Sequence, residues 1–270
     1  MDLVRRYGTK VPLWYAGQCP LIDGDRVILA PGGSALLIAV DCATGNVVWE
    51  TPNPEGWGMS HCSVAPMALG GRQTYVYVAG GGVAGVDAED GRILWKTSEW
   101  DLRIPIATAV PVGADRVFLS GGYNSGAMML RLVERGGRTE AEVAFRLAPS
   151  VFGSAQQTPV LYDGHLYGVR PDGEMVCLGL DGKVLWTSGP SARFGLGPYL
   201  VAGGLLYAMS DDGVLVAAEA TPAGWRPLAE AKVLSGPEAW GPMAPAGGRL
   251  IVRDFTRMAC LDVFGAGEVE

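Results

Sequence analysis

The feature that most constrains this chain is a pattern that recurs six times between Val11 and Val263. Each copy opens on a proline among small and apolar residues, passes through a glycine-centred turn into an apolar run, and turns again into another apolar run. The copies start about 45 residues apart, a period typical of the four-stranded blades of a β-propeller. The openings fall at Pro20, Pro66, Pro111, Pro159, Pro198 and Pro242. The sequence therefore predicts an all-β chain of six four-stranded antiparallel blades.

The two ends of the chain bear on whether these blades close into a ring. The sixth copy shows no outer strand after Asp262, where only Phe264 to Glu270 follow, and the chain begins with a strand-like piece from Asp2 to Tyr7. A propeller removes its exposed edges when one terminus supplies the missing strand of the blade begun at the other. We therefore expect a closed six-bladed ring that uses the first residues as a strand.

Composition favours a single folded domain over residues 1–270. Hydrophobic residues make up 49 % and charged residues 18 % of the chain, which excludes a disordered polypeptide. The 40 glycines and 18 prolines are spread along the sequence, as many turns between short strands require. The net charge is −7 and no basic run exceeds Arg5–Arg6, so we expect no nucleic-acid partner.

Cysteine usage and the apolar runs bear on the compartment. The five cysteines show no CxxC spacing, which indicates neither a disulfide framework nor a zinc site. The longest apolar run, Ala35 to Val40, is too short to cross a bilayer. No secretory signal follows Met1, so the sequence predicts a cytoplasmic protein, provided that Met1 is the true start.

A shorter motif lies within the repeats, at the turn between the third and fourth runs. Residues 39–49 read Ala-x-Asp-x-x-Thr-Gly-x-x-x-Trp, residues 85–95 match with two changes, and residues 181–186 carry a shortened copy. Glycine suits a left-handed turn position, Asp and Thr can satisfy turn amides, and Trp offers a large apolar surface to the next blade. The motif residues are Asp41, Thr44, Gly45, Trp49, Asp87, Gly91, Trp95, Gly182 and Trp186.

These motifs resemble the pyrroloquinoline-quinone (PQQ) repeat. The chain is similar over nearly its whole length to the PQQ-like, or quinoprotein-alcohol-dehydrogenase-like, propeller family. It looks most like the bacterial repeat proteins related to the outer-membrane assembly propeller, through segments 120–132 and 219–254. The family's usual ring has eight blades and its members are commonly exported. The resemblance therefore implies a truncated eight-bladed ring as the alternative fold and a periplasmic or exported location.

The family's enzymes bind PQQ with a calcium ion, and they use adjacent cysteines and an acidic catalytic residue. This chain has no two adjacent cysteines, no CxxCH haem motif and no acidic residue that matches the catalytic one. We therefore predict no catalytic residue, no metal ligand and no cofactor. PQQ with calcium is the alternative.

Candidate binding residues lie in the segments before the first strand of each repeat. Such loops edge the central channel of a propeller, where ligands commonly bind. Mixed aromatic and polar side chains there suit a sugar, a peptide or a protein surface. For any single residue, packing between blades is an equally good interpretation. The predicted ligand-binding residues are Trp57, His61, Arg103, Gln156, Gln157 and Trp240.

Two other features have structural explanations. Residues 80–85 contain Gly-x-Gly-x-x-Gly, but a dinucleotide site needs this motif to open a helix and here a turn and a strand follow, so we interpret it as hairpin glycines. The charged tip from Glu134 to Glu140 stretches the last hairpin of the third repeat and is interpreted as a loop rather than a site.

Three functions fit these observations. The leading hypothesis is a non-catalytic propeller that acts as a binding or scaffolding module for a protein, small-molecule or carbohydrate ligand. The second is a quinone-dependent oxidoreductase, or a fragment of one. The third is a component of envelope protein assembly that holds its partners on exposed strand edges or on a loop face.

Overall fold

The computed structural model describes residues 1–263, and the C-terminal segment from Phe264 to Glu270 lies outside them. The chain divides into two compact units, Met1–Thr158 (unit 1) and Pro159–Glu270 (unit 2). Each unit contains three sheets built from consecutive antiparallel strands. The predicted all-β class and the six antiparallel sheets are confirmed, whereas closure into one ring and the single domain stay predictions.

Unit 1 holds three four-stranded sheets, in which every strand pairs with its neighbours in sequence. Sheet 1 comprises β1 (Leu21–Asp23), β2 (Arg26–Leu29), β3 (Ala35–Asp41) and β4 (Val47–Pro52). Sheet 2 comprises β5 (Ala65–Leu69), β6 (Arg72–Ala79), β7 (Gly82–Asp87) and β8 (Ile93–Thr97). Sheet 3 comprises β9 (Val110–Val112), β10 (Arg116–Gly121), β11 (Gly126–Arg135) and β12 (Arg138–Leu147).

Unit 2 repeats this plan, with three strands in its last sheet within the described residues. Sheet 4 comprises β13 (Val160–Tyr162), β14 (His165–Val169), β15 (Met175–Gly179) and β16 (Val184–Thr187). Sheet 5 comprises β17 (Tyr199–Ala202), β18 (Leu205–Met209), β19 (Val214–Glu219) and β20 (Pro227–Lys232). Sheet 6 comprises β21 (Ala244–Ala246), β22 (Arg249–Arg253) and β23 (Met258–Asp262).

The up-and-down order gives every sheet two distinct ends. The chain enters the first strand at one end, which also carries the turn between strands two and three; we call it the loop end. The turns between strands one and two and between strands three and four lie at the opposite, turn end. The middle strands of unit 1 are buried on both faces, for example at Ile38, Val76 and Leu119. This explains why they read as apolar runs rather than as an alternating pattern.

The N-terminal segment is a helix, α1 (Leu3–Tyr7), so its prediction as a strand is wrong. The Asp2 carboxylate caps the helix by accepting a hydrogen bond from the Arg5 amide at 3.1 Å, and Gly8 ends it in a left-handed conformation. Tyr7 is buried against Ile38 of sheet 1, and its hydroxyl donates to Glu50 at 2.7 Å. The helix therefore covers one face of sheet 1 instead of extending a sheet.

The charged segment of the third repeat is also a correction. It forms a hairpin, because β11 continues to Arg135 and β12 begins at Arg138, with the turn made by two glycines at positive φ. β10 pairs with β11 only as far as Arg131, so the rest of the hairpin projects past the end of sheet 3. We call the residues from Leu132 to Ala141 the arm. They lie at the turn end of unit 1.

Candidate functional site

The motif turns are closed by their own side chains. The Asp41 carboxylate accepts hydrogen bonds from the Thr44 amide at 2.7 Å and from the Thr44 hydroxyl at 2.6 Å, and Gly45 adopts a φ of 72°. The hydrogen bond from the Thr44 hydroxyl is the main reason why the pKa of Asp41 lies below its usual value. In the shortened copy, Gly182 adopts a φ of 83° and Asp181 accepts from the Lys183 amide.

The motif tryptophan joins neighbouring sheets at the turn end. The Trp49 indole on β4 donates to the Ala88 carbonyl of sheet 2 at 3.2 Å, and the Thr51 hydroxyl donates to the Gly91 carbonyl at 2.7 Å. Gly91 has a φ of 76°, and a Cβ there would lie 2.5 Å from the Trp49 ring. Glycine is required at this position both by the backbone and by the closeness of the indole. In unit 2, Trp186 makes the same kind of bond to the Thr221 carbonyl at 2.8 Å.

Sheet 2 departs from this arrangement. Trp95 on β8 is buried, but its indole N–H has no hydrogen-bond partner within the described part of the chain. In the same sheet, the buried carboxylate of Asp87 holds two arginines, Arg72 at 3.4 Å and Arg92 at 3.2 Å. Burial alone would raise the pKa of Asp87, but hydrogen bonds from the Glu89 amide and from Arg92 bring it below its usual value.

Of the predicted ligand-binding residues, Trp57 is packed inside the protein. Only 8 % of its surface is exposed, and a Cβ on Gly81 would collide with its ring. Asn53 fixes the Trp57 backbone by donating to its carbonyl at 2.8 Å and accepting from its amide at 3.1 Å. Little of this indole is left to contact a ligand, so the structure supports a packing role more directly.

Four further candidates lie at the loop end of unit 1. His61 is half-buried; its amide donates to the Pro105 carbonyl at 3.1 Å, and a Cβ on Gly17 would lie 3.2 Å from its ring nitrogen. Arg103 is exposed in the same connection as Pro105. Gln156 and Gln157 are half-buried in the connection that follows sheet 3.

Trp240 belongs to unit 2, where it is 36 % exposed and its indole donates to the Asp211 carboxylate at 2.8 Å. The structure thus places the candidates in two units. Their roles in ligand binding stay predictions.

Sequence reasoning missed a row of hydroxyl groups at the loop end of unit 1. The Cys19 amide donates to the Ser63 hydroxyl, the Ser63 amide to the Thr108 hydroxyl, and the Thr108 amide to the Thr158 hydroxyl, each at 3.0 Å. We call Ser63, Thr108 and Thr158 the hydroxyl row. The signal in the sequence was a Ser or Thr one to three residues before the repeat proline.

Cys62, beside this row, is buried and donates to the Ala107 carbonyl. Burial raises the pKa of its thiol to about 12. At neutral pH it is therefore protonated and acts as a small packing group rather than as a nucleophile.

The loop end of unit 1 also presents three exposed aromatic side chains. Trp14 is 63 % exposed, Tyr15 81 % and Tyr123 67 %. Their φ angles are 63°, 67° and 52°, in the left-handed region that non-glycine residues seldom occupy. Trp14 and Tyr15 precede β1, and Tyr123 lies in the turn between β10 and β11, so all three project from loops at the same end of their sheets.

A comparison with known sequences decides the family. The sequence model described as "Outer membrane protein assembly factor BamB" matches residues 6–181, more than half of the chain. The chain belongs to this BamB-like family. The resemblance to PQQ-repeat proteins is thereby confirmed. Among curated proteins, no sequence matches the chain.

Solved structures show that the BamB-like chain has a β-propeller fold. BamB from Moraxella catarrhalis is 17 % identical, with a TM-score of 0.65 over 93 % of this chain and 70 % of that one. Quinohemoprotein alcohol dehydrogenase from Comamonas testosteroni is 12 % identical, with a TM-score of 0.63 over 90 % of this chain and 51 % of that one. The β-propeller domain of Cps50 (Swd1) from Myceliophteria thermophila is 13 % identical, with a TM-score of 0.59 over 92 % and 83 %.

The predicted absence of a cofactor, with PQQ and calcium as the alternative, stays a prediction for this BamB-like chain. Within residues 1–263, no three His, Cys, Asp or Glu side chains are grouped so that they could hold a metal ion. Cys62 and Cys177 are buried, and burial raises the pKa of Cys177 to about 11. In the same range, no helix is both long and apolar enough to span a membrane.

Proposed function

We propose that this BamB-like chain is a non-catalytic binding module that holds a protein partner on the loop end of unit 1. The observation that supports this most strongly is the set of exposed aromatic residues, Trp14, Tyr15 and Tyr123, on strained loops. A left-handed conformation costs a non-glycine residue about 1–2 kcal/mol. Exposed aromatic surface gains nothing from folding. Both costs are explained if these side chains are buried in a partner.

The chemistry around these residues favours a protein over a small ligand. Tyr and Trp are enriched at the centres of protein interfaces, where a polar rim surrounds them. His61, Arg103 and Gln156 supply polar groups in neighbouring connections at the same end. The finer proposal is a component of envelope protein assembly in an exported location, which the description of the family supports. A closed ring of blades is part of the same proposal.

Photo-cross-linking in the host cell tests the binding surface. A photoreactive phenylalanine is introduced in place of Tyr15 or Tyr123, and in place of Val48 as a control. Val48 is 46 % exposed on the outer strand of sheet 1, away from the loops. We expect Tyr15 and Tyr123 to yield the same cross-linked protein and Val48 to yield none. Equal products from all three positions, or none from any, would contradict the proposal.

The structural likeness to a quinohemoprotein alcohol dehydrogenase keeps an oxidoreductase as the second candidate. Thermal unfolding with and without PQQ and calcium separates the two. A ligand present at a hundred times its Kd stabilises the folded state by about 2.7 kcal/mol, which raises the melting temperature. We expect no shift. A saturable rise would overturn the non-catalytic assignment.

A further inference from the structure

Sheets 2 and 3 enclose a groove at the turn end of unit 1. Trp49 and Trp186 reach a turn carbonyl of the next sheet, whereas the indole N–H of Trp95 reaches no partner in residues 1–263. Sheet 2 is followed by sheet 3, whose turn between strands three and four is replaced by the arm. Residues of the arm and of sheet 2 line this groove together.

The groove has a volume of about 1020 Å³, the size of a site for a large ligand. Its floor is apolar and consists of Leu69, Ile93 and Leu94 from sheet 2 and Leu132 from the arm. The ladder between β10 and β11 ends at Arg131, and the Leu132 amide still donates to the Asp115 carbonyl at 2.7 Å. From Val133 onward, β11 pairs with β12 alone, and its other edge has no paired strand of sheet 3. An apolar floor beside a strand edge fits an extended polypeptide, because main-chain hydrogen bonds add to side-chain burial.

Charges of opposite sign stand at the two sides of the floor. On the side of sheet 2, Arg72 and Arg92 have side chains 60 % and 56 % exposed; both contact the carboxylate of Asp87, and Arg92 also lies 3.9 Å from the carboxylate of Asp90. A guanidinium carries five N–H donors, and Asp87 uses only part of them. On the side of sheet 3, the lining includes Asp115 and, on the arm, Glu134, Arg138 and Glu140, so the acidic groups outnumber the one basic group. The Thr139 hydroxyl donates to Glu134 and holds it on the arm.

We propose that this turn-end groove binds an extended peptide segment in which two apolar residues lie between an acidic and a basic residue. Neighbouring side chains of an extended chain point to opposite sides, so one apolar side chain contacts Ile93 and Leu94 on the side of sheet 2 and the other contacts Leu132 on the side of the arm. The acidic residue pairs with Arg72 and Arg92, and the basic residue pairs with Glu134. The groove lies at the opposite end of the sheets from the exposed aromatic loops. A test of peptide binding in the groove is therefore independent of the proposed partner binding at the loop end.

The test uses the full chain and fluorescein-labelled hexapeptides, with binding followed by fluorescence anisotropy. The probe is Gly-Glu-Leu-Leu-Lys-Gly with blocked ends. The comparison peptides carry Glu at both charged positions, Lys at both, or Ser in place of both Leu. We expect the probe to bind about tenfold more tightly than each comparison peptide. Equal binding of all four peptides would overturn the proposal.

Two protein variants locate the site. Glu134→Lys replaces the acidic partner of the peptide lysine by a basic group, while Asp115 and Glu140 stay acidic. The variant should therefore bind the Glu/Lys probe about fivefold more weakly than the parent protein does, and the peptide with two Glu about fivefold more tightly. Glu230→Lys, on the exposed strand β20, alters the net charge equally and should leave the preference unchanged. An identical change in both variants would show that only net charge matters.

The other variant that locates the site is a deletion that shortens the arm. Leu132 and Ala141 are directly opposed across the hairpin, so Asn-Gly in place of residues 133–140 closes it with a two-residue turn. We expect probe binding to fall by about tenfold while circular dichroism and the melting temperature stay near those of the parent protein. Undiminished binding by this folded variant would refute the groove as the site. If the variant with the shortened arm does not fold, the change in peptide preference of Glu134→Lys tests the proposal by itself.

Discussion

Replacing Trp49 or Trp95 by Phe measures the hydrogen bond that joins sheets 1 and 2. Both indoles are buried motif tryptophans, but only Trp49 has an acceptor, the Ala88 carbonyl. In each variant the smaller ring leaves a cavity that costs about 1–2 kcal/mol. In Trp49→Phe a buried hydrogen bond worth about 1 kcal/mol is also lost. Ala88 keeps a second donor, Arg26 at 3.0 Å, so its carbonyl is not left unpaired.

In Trp95→Phe the same cavity forms, but an unpaired buried N–H disappears, and its burial had cost about 1–3 kcal/mol. We therefore expect Trp49→Phe to be less stable than Trp95→Phe by about 2 kcal/mol. Urea unfolding followed by far-ultraviolet circular dichroism measures this, since the signal does not depend on the tryptophan that was removed. The slope with denaturant should be equal in both variants. Equal losses of stability in the two variants would refute the conclusion that the Trp49 indole is hydrogen-bonded and the Trp95 indole is not.

Three further predictions concern single positions. Gly91→Ala should lower the free energy of unfolding by about 3 kcal/mol and Gly45→Ala by about 1 kcal/mol. Both glycines have a left-handed backbone, but only a Cβ at position 91 collides with an indole, and chemical denaturation of the two variants measures the difference. The lowered pKa of Asp87 means that its carboxylate stabilises the fold above its ordinary pKa of 3.8 and that this contribution is lost as the pH falls below it. The melting temperature of Asp87→Asn should thus lie below that of the parent at pH 7, and the gap should narrow in acid; a constant gap would contradict the assignment. Thr108→Val should cost about 1 kcal/mol, because the Ser63 amide loses its acceptor, whereas Thr108→Ser should unfold at the same denaturant concentration as the parent.

The sequence was most informative where one residue type is required by the backbone. The glycines of the repeated turns, such as Gly45 and Gly91, have positive φ angles, and turn glycines recurring at a fixed period reveal the sheets between them. The apolar runs between them specify middle strands that are buried on both faces. Five residues of α1 are too few to show a helical period, although the capping Asp2 and Gly8 were present in the sequence.

The arm was missed for a different reason. Its charged residues read as a solvated loop, but they alternate across a two-stranded ribbon whose turn needs only Gly136 and Gly137. The hydroxyl row could not be predicted from one sequence, since a Ser or Thr near a turn can form many different local hydrogen bonds. The environment of Trp57 could not be predicted from one sequence either, because an aromatic residue in a loop can face a ligand or the core. The structure shows that the Trp57 ring packs against Gly81.

The self-contained pairing of the sheets has an evolutionary consequence. From sheet 1 to sheet 5, all four strands come from one uninterrupted stretch of sequence, and α1 caps sheet 1 without contributing a strand. A gene segment that encodes one such sheet can thus be duplicated or lost without depriving another sheet of a hydrogen-bonded partner. Members with different numbers of blades can arise when the segment for a whole sheet is gained or lost. The connections between sheets are the positions best suited to recombination or circular permutation.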